Sequence, residues 1–450
     1  AILAGSVGLT KTTSGTVTLS GANTYTGTTA VNAGTLAFSA DNHLGASAAA
    51  ISLNGGTLAL GAADVTGTHA ITVGASGGTI DVGNHQYFLN TANLLAGSGA
   101  LTVNGSAGSL RLGLNNSFSG TTAVSSGALV EVQNATGLGT SAVTVNSGGE
   151  LVASNITMAN GVTANDGSTL SFDNGNSGIF SGAIALSSGT TTVAMRDWYS
   201  TGTARSGRFS GLISGSGGLA INSGTGTGSV LTLTNANTYS GGTTLNAGTL
   251  VLSNGNAAGS GTITAANGTT ISLTATSAVA NAITLSGTGA SVTMTSNQAS
   301  NGYITNITGS ADQTLVIVNN GNNVNFNSTT RQFTNFLGTV NVQAGSSLVD
   351  RSSTTTWTNG GDSTLFDVAG YISSRNGGTW ALGGLTGSGT LGMGASGSNG
   401  IGLNYTIGAR NDASNTFSGV IQDGDTVNSK RVSVTKVGTG IQIFSGTNTY

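Results

Sequence analysis

Short apolar segments recur along this 450-residue sequence at a nearly constant interval. In the first half of the chain, corresponding positions are separated by 22, 22 and 21 residues, at Leu36, Leu58, Ile80 and Leu101. A second series is separated by 21, 21 and 23 residues, at Leu250, Ile271, Val292 and Leu315. A repeat of this length is too short for a propeller blade, which takes roughly 40 to 50 residues, and it lacks the helix of a leucine-rich repeat. The interval predicts that each repeat forms one coil of a β-helix, also called a β-solenoid.

Each repeat has the pattern strand, glycine turn, strand. Residues 51–60 read ISLNGGTLAL, and residues 143–151 read VTVNSGGEL. Apolar residues alternate with small polar ones within each strand, which is the period of a strand with one buried face. Equivalent residues of successive coils should stack about 4.8 Å apart, so we expect parallel sheets around an apolar interior. With about 21 residues per coil, about 21 coils would form a single rod on the order of 100 Å long.

The composition agrees with an all-β class and excludes several functions. The chain has no proline, 75 glycines and only 6% charged residues. Proline would remove hydrogen bonds that interior coils must donate, and so little charge leaves no solvent face for long amphipathic helices. With 12 basic and 15 acidic residues, the chain has no basic surface for nucleic acid. It also has no run of about 18 apolar residues that would insert into a membrane.

No composition shift or linker-like stretch interrupts this pattern, so we predict one continuous solenoid over residues 1–450. A longer motif overlies the coils at three places, residues 8–36, 235–250 and 436–450. Residues 21–36 read GANTYTGTTAVNAGTL, and residues 235–250 read NANTYSGGTTLNAGTL. Looser or degenerate copies surround five phenylalanines, at Phe118, Phe180, Phe209, Phe336 and Phe417.

This motif resembles the passenger-associated transport repeat of autotransporters, which is also called the autotransporter-associated β-strand repeat. The resemblance implies a right-handed parallel β-helix that is secreted by a bacterium or displayed on its surface. Because the copy at residues 436–450 stops in mid-repeat, we expect the sequence to be an excerpt of a longer repeat protein.

Two concentrations of charged and aromatic residues are candidate binding sites. The first contains Arg196, Trp198, Tyr199, Arg205 and Arg208. The second contains Trp357, Asp362, Asp367, Tyr371 and Trp380. Trp, Tyr and Arg commonly stack on sugars or anchor protein contacts, and two carboxylates that flank a glycosidic bond can cleave it. Ion pairs between neighbouring side chains, and aromatic packing against adjacent coils, explain the same residues without a ligand.

The sequence offers little other chemistry. Its three histidines are isolated and it has no cysteine, so we predict no metal site and no cofactor. The Gly-rich strings lack the helix and the lysine of a phosphate-binding loop. No segment has the strand–turn–helix context of a serine nucleophile.

These observations favour an extracellular structural or adhesive β-helical rod of a bacterial surface protein, as a fibre, stalk or matrix component, and not an enzyme. Exposed solenoid ends are unpaired sheet edges, so we expect copies to associate end to end or laterally. A cell-surface or glycan ligand is the other expected partner. The alternative hypothesis is a β-helix that binds or cleaves polysaccharide through residues near 196–209 and 350–380. A phage tail spike shares this fold, but the resemblance to transport repeats disfavours it.

Overall fold

The fold is almost entirely β. The computed structural model describes residues 2–173, 178–196, 204–222, 228–296, 303–319, 323–326, 332–351, 358–375, 377–393, 402–424 and 431–450. Within these residues the only helix is a 3-10 turn, Asp41–Leu44. The strands form parallel sheets that stack coil on coil, which confirms the predicted all-β parallel β-solenoid.

The chain forms two compact units. The first comprises Ala1–Ser229 with Tyr239–Gly241, and the second comprises Val230–Thr238 with Gly242–Tyr450. Each unit is a stack of coils in its own right. The continuity of residues 1–450 as one body stays a prediction.

In the residues that the structure describes, the strands of the first unit lie in four parallel sheets. Sheet 1 contains Leu9–Lys11, Thr29–Val31, Ile51–Leu53, Ile71–Val73 and Leu95–Gly97. Sheet 2 contains Thr16–Leu19, Thr35–Phe38, Thr57–Leu60, Gly78–Asp81, Leu101–Asn104, Thr122–Val124, Val143–Val145, Val162–Ala164, Ile184–Leu186 and Ile213–Gly215. Sheet 3 contains Val65–Gly67, Gln86–Leu89, Ser109–Leu112, Leu129–Val132, Glu150–Ser154, Thr169–Asp173, Thr190–Met195 and Gly218–Asn222. Sheet 4 contains Thr157–Met158, Gly178–Phe180 and Ser206–Phe209.

Three parallel sheets build the second unit. Sheet 5 contains Val230–Leu233, Thr249–Leu252, Thr270–Leu273, Ser291–Ser296, Thr314–Asn319, Thr339–Val342, Leu365–Val368, Gly384–Gly387, Ser414–Phe417 and Ile441–Phe444. Sheet 6 contains Thr243–Leu245, Ile263–Ala266, Val279–Ser286, Tyr303–Gly309, Val324–Phe326, Asn335–Phe336, Ser347–Asp350, Tyr371–Ser374, Thr390–Met393 and Val420–Ile421. Sheet 7 contains Gly378–Leu382, Leu403–Ile407 and Val432–Lys436.

The register of the sheets confirms part of the predicted repeat and corrects the rest. Leu58 lies directly opposite Ile80, as the 22-residue interval predicts. Ile80, however, lies opposite Val103, two residues beyond the expected Leu101. A shift of two residues keeps the same face of the strand inward, so the apolar pattern alone did not distinguish the two registers.

The coils are also longer and less regular than predicted. In the described residues they average about 23 residues, where the sequence interval predicted about 21. Paired residues are as close in sequence as Leu151 and Leu170 and as distant as Leu391 and Ile421. The additional residues lie between strands, where a longer connection leaves the strand register unchanged.

The core is a set of apolar columns inside each stack. One column of sheet 2 has no exposed side chain and runs through Leu36, Leu58, Ile80, Val103, Val124 and Val145. Burying a side chain of this size contributes about 1.5–3 kcal/mol. The coils are therefore held together mainly by repeated apolar burial, with the parallel hydrogen bonds fixing their spacing.

Glycine allows the tightest turns of the coil to stack. Gly127, Gly148 and Gly167 occupy one turn in three successive coils, with φ of 76°, 74° and 71°. Other residues rarely adopt this left-handed conformation. The N–H of Gly127 donates to the carbonyl of Gly148, and that of Gly148 to the carbonyl of Gly167, each at 2.9 Å. The glycine of the repeat is thus required by backbone geometry.

Candidate functional site

The asparagine of the longer motif joins three successive coils. Asn116 is 7% exposed. Its Oδ1 accepts a hydrogen bond from the backbone N–H of Leu95, 2.9 Å away in the preceding coil. Its Nδ2 donates to the carbonyl of Gly137, 2.8 Å away in the following coil. We call this arrangement the asparagine clip, and Asn23 repeats it between the N–H of Leu3 and the carbonyl of His43.

The aromatic residue and the glycine of the motif fill the same corner. Tyr25, Phe118 and Tyr239 are at most 2% exposed. A Cβ atom on the glycine two residues after Phe118, Gly120, would overlap the carbonyl oxygen of Gly99 in the preceding coil. The same aromatic-x-Gly arrangement, with the same overlap, occurs in the degenerate copies that begin at Phe180, Phe209, Phe336 and Phe417. The motif therefore specifies a corner at which adjacent coils approach too closely for any side chain.

The lysine of the motif satisfies carbonyl groups at a bend of the coil. Lys11 is 5% exposed, and its Nζ donates to the carbonyls of Thr13 and Ala33. Lys436, at the equivalent position of the last copy, donates to the carbonyls of Val437 and Gly438. This lysine thus donates to backbone carbonyls of its own bend and, in the case of Lys11, of the following coil as well.

The first predicted cluster is only partly brought together. Trp198 and Tyr199 lie outside the described residues. The guanidinium of Arg196 forms a two-pronged ion pair with Glu150, across two coils. Arg205 is half-buried and its backbone N–H donates to the hydroxyl of Ser229, whereas Arg208 is exposed on the outer face of sheet 4.

A second ion pair lies on the outer face of sheet 3. The Nε of Arg111 lies 2.8 Å from Oε2 of Glu131, which is 2% exposed. The Arg111 guanidinium also lies 5.0 Å from the centre of the Phe88 ring, and it donates to Gln86 Oε1 at 3.1 Å. This group was not among the predicted sites. Its signal was present, because Arg111 and Glu131 are opposite charges separated by one coil length and hence directly paired in register.

A groove of about 350 Å³ crosses the strands of sheet 3 at the ends where those strands begin. Its polar lining comes from successive coils and consists of Asp64, Asn84, Gln86, Ser109, Glu150 and Arg196. Between them lie residues with little or no side chain, Ala107, Gly127, Ala128 and Gly148. We call this feature the polar groove. Of the ten predicted site residues, Arg196 alone lines it within the described residues.

The two aspartates of the second predicted cluster have different surroundings. Asp362 is exposed in the turn before the strand Leu365–Val368. Asp367 lies within that strand, where its carboxylate accepts hydrogen bonds from Asn341 Nδ2 at 2.8 Å and Thr386 Oγ1 at 3.0 Å. Asn341, Asp367 and Thr386 occupy the same position in three successive coils of sheet 5. The Asp367 carboxylate is therefore engaged in a ladder between coils.

One of the aromatic residues of that cluster, Trp380, belongs to the core. Trp357 lies outside the described residues. Trp380 is 0% exposed and packs edge-on against Phe366, with ring centres 6.2 Å apart. Tyr371 is half-buried, and its hydroxyl donates to the carbonyl of Met393 at 3.4 Å, while burial raises its pKa. Trp380 cannot stack on a ligand at the surface, in agreement with the alternative that aromatic residues pack against adjacent coils.

A buried carboxylate–histidine pair lies at the corner that contains the 3-10 turn. His69 is 0% exposed, and its Nδ1 lies 3.0 Å from Oδ1 of Asp41. Burial tends to raise the pKa of Asp41, but hydrogen bonds from His69 and from the side chain and backbone of Thr68 outweigh it and lower that pKa. This pair joins two coils, and within the described residues no third His, Cys, Asp or Glu side chain is placed to complete a metal site with it.

The described residues contain no group of three or more His, Cys, Asp or Glu side chains placed to hold a metal ion. The part of the chain that the structure describes also has no helix long and apolar enough to cross a membrane.

Comparison with known proteins identifies the longer motif. The family model described as passenger-associated-transport-repeat matches residues 9–38, 101–130, 223–252 and 434–450, about a quarter of the chain. These ranges include the three predicted copies and the looser copy around Phe118, which confirms the predicted resemblance. The chain is also similar to the adhesin BmaC autotransporter of Brucella suis biovar 1 (strain 1330), with 49% identity over 51 residues. That match covers 11% of this chain and 2% of the relative's own length.

Proposed function

Since this chain is a β-helical segment of the autotransporter-passenger type, we propose that it is an adhesive rod displayed outside a bacterial cell. In this proposal the coils are the scaffold, and the exposed side chains on them make the adhesive contacts. The passenger family implies a cell-surface or secreted location and suggests a structural or adhesive role. Attachment to a surface, and association between copies, are the specific roles that we propose.

The observation that carries this proposal is where the chain's polar chemistry is used. The asparagine clips, Lys11 and the Asp367 ladder each connect neighbouring coils, and the Arg196–Glu150 pair connects coils that are two apart. A catalytic site needs polar groups that are poised toward a substrate, whereas these groups are engaged in holding the stack. A repeated surface of low charge suits attachment better than it suits chemistry.

Adhesion is tested with beads that carry the purified chain at a fixed density. We expect these beads to bind host cells or surface glycans more strongly than beads coated with an unrelated β-helix of similar length. Analytical ultracentrifugation over a concentration series measures association between copies. Equal binding by the two bead types, together with a monomer at every concentration, would overturn the proposal.

The competing enzymatic hypothesis is tested on the same material. Chains with Asp362→Asn and Asp367→Asn are incubated with polysaccharides beside the unchanged chain, and reducing ends are measured. We expect no release of reducing ends by any of the three. Release that disappears in the two variants would establish the polysaccharide-cleaving alternative.

A further inference from the structure

We propose that the polar groove binds a linear, uncharged polysaccharide that lies along the stacking direction of the coils. This inference rests on the proposed adhesive function and assigns it a ligand class and a place on the first unit.

The groove is elongated along the stacking direction of the coils, as a binding site for a linear ligand must be. Gln86, Ser109, Leu129 and Glu150 occupy the same position in four successive strands of sheet 3. The lining begins one strand earlier, at Asp64, and ends at Glu150, to whose carboxylate the Arg196 guanidinium reaches back across two coils. Four steps between coils at about 4.8 Å give a length of roughly 19 Å. This length accommodates several sugar residues of an extended chain.

Backbone geometry excludes large side chains from the floor of the groove at its middle. Gly127 and Gly148 lie there with positive φ, and a Cβ atom on Gly127 would lie 2.7 Å from the carbonyl oxygen of Gly105. A larger side chain therefore cannot be placed at this position without strain. The N–H of Ala107 donates to the carbonyl of Gly127 at 2.8 Å, so these backbone groups are already used between coils.

The use of the backbone between coils argues against a peptide ligand. An extended peptide gains affinity by adding a strand to a free sheet edge, and the groove crosses coils whose backbone groups pair with each other. A ligand here must be held by side chains. Asn84, Gln86 and Asp64 are exposed at one end, and Glu150 and Arg196 are half-exposed at the other. Amide, carboxylate and guanidinium groups each offer several donors or acceptors, which suits the hydroxyl groups of a sugar.

Charge distinguishes between classes of polysaccharide. Glu150 and Arg196 neutralise each other through their ion pair, and Asp64 adds a single carboxylate whose Oδ1 accepts the N–H of Gln86 at 2.8 Å. The groove therefore has no excess of positive charge to attract sulfate or uronate groups. An uncharged chain is the class that this lining favours.

The test uses the full chain and neutral hexasaccharides of glucose, xylose and mannose, with heparin and chondroitin hexasaccharides as charged probes. Calorimetry should show binding of at least one neutral probe and weaker binding of the charged ones. An Asn84→Ala/Gln86→Ala double variant should bind that probe at least tenfold more weakly. Asn115→Ala, an exposed asparagine outside the groove lining, is the matched control and should leave binding unchanged. Circular dichroism should show that all variants fold.

Each outcome bears on one of the two proposals. Loss of neutral-glycan binding in the double variant alone supports the groove. Tighter binding of the charged probes, no binding of any neutral probe, or equal binding by the double variant would overturn it. The bead assay is repeated with the double variant. If its beads adhere as well as those with the unchanged chain, the adhesive function stands and the groove assignment fails; if beads with the unchanged chain do not adhere, the adhesive function itself fails.

Discussion

The asparagine clip predicts a large and local effect of one substitution. Asn116→Ala removes both hydrogen bonds that connect its corner to the coils on either side. The side chain is 7% exposed, so water has little access to the two backbone groups that lose their partner. A buried donor or acceptor left without a partner costs about 1–3 kcal/mol. Two such groups give an expected loss of about 2–6 kcal/mol from the free energy of unfolding.

The substitution Asn116→Asp tests the two hydrogen bonds of the clip separately. A carboxylate still accepts the N–H of Leu95, but it places negative charge against the carbonyl oxygen of Gly137, where the amide had donated. A protonated carboxyl can donate again. The Asp variant should therefore be destabilised at neutral pH and regain part of the loss as its carboxyl becomes protonated in acid. A variant that merely disturbed packing would not show this recovery.

Hydrogen exchange followed by mass spectrometry measures the effect at the coils concerned, which matters because repeat arrays do not always unfold in one step. Peptides containing Leu95 should exchange faster in Asn116→Ala than in the unchanged chain. Asn115→Ala changes the exposed asparagine next to the clip and should have no effect beyond about 0.5 kcal/mol. Unchanged protection of the Leu95 amide in Asn116→Ala would refute the reasoning.

Three further substitutions test the corner, the core and the pH dependence. Gly120→Ala should destabilise the first unit by about 3 kcal/mol in urea unfolding, because its Cβ would overlap the backbone of the preceding coil. Gly161→Ala is the control and should stay within about 0.5 kcal/mol, because its Cβ would make only an ordinary van der Waals contact, 3.9 Å from the carbonyl oxygen of Ala183. Trp380→Ala should cost about 3–5 kcal/mol by leaving a cavity in the second unit, and binding of glycans should be unaffected. Folding lowers the pKa of Asp41, so its carboxylate stabilises the folded state above its ordinary pKa of 3.8, and this contribution is lost as the pH falls through the lower folded value. Urea unfolding of Asp41→Asn should therefore show a smaller loss of stability below about pH 4 than urea unfolding of the unchanged chain.

Much of the fold could be predicted because it depends on a sequence pattern that recurs at a nearly constant interval. Alternating apolar residues and regularly spaced glycine turns identify a β-solenoid from any few coils. The register could not be predicted to the residue, as Ile271 shows by pairing with Met294 and not with Val292. A shift of two residues exchanges one inward-facing residue for the next, and the apolar pattern changes little.

The candidate sites were harder to predict, and the reason is the geometry of a coil. Residues that touch across the stack are about one coil length apart, but coils differ in length by up to eleven residues in the pairings described above. Glu150 and Arg196 are two such coils apart, so nothing in the local sequence joins them. Trp380 shows the opposite difficulty, since its residue type suggests a binding surface but its place in sheet 7 buries it. Composition identifies which residues carry chemistry, and only the register decides which of them meet.

This degeneracy of register gives the transport repeat a physical role. Strands rich in Thr, Ala and Val can slide by two residues at little cost in burial, and a sheet made only of such strands is weakly specified. The asparagine clip opposes that freedom, because Asn116 is bonded to one backbone N–H in the preceding coil and one carbonyl in the following coil, and sliding either coil breaks a bond. The glycine of the same motif permits the close approach that the clip requires. Coils with the full motif should then fix the register for the plainer coils between them, which explains why a motif covering about a quarter of the chain can specify the stacking of the rest.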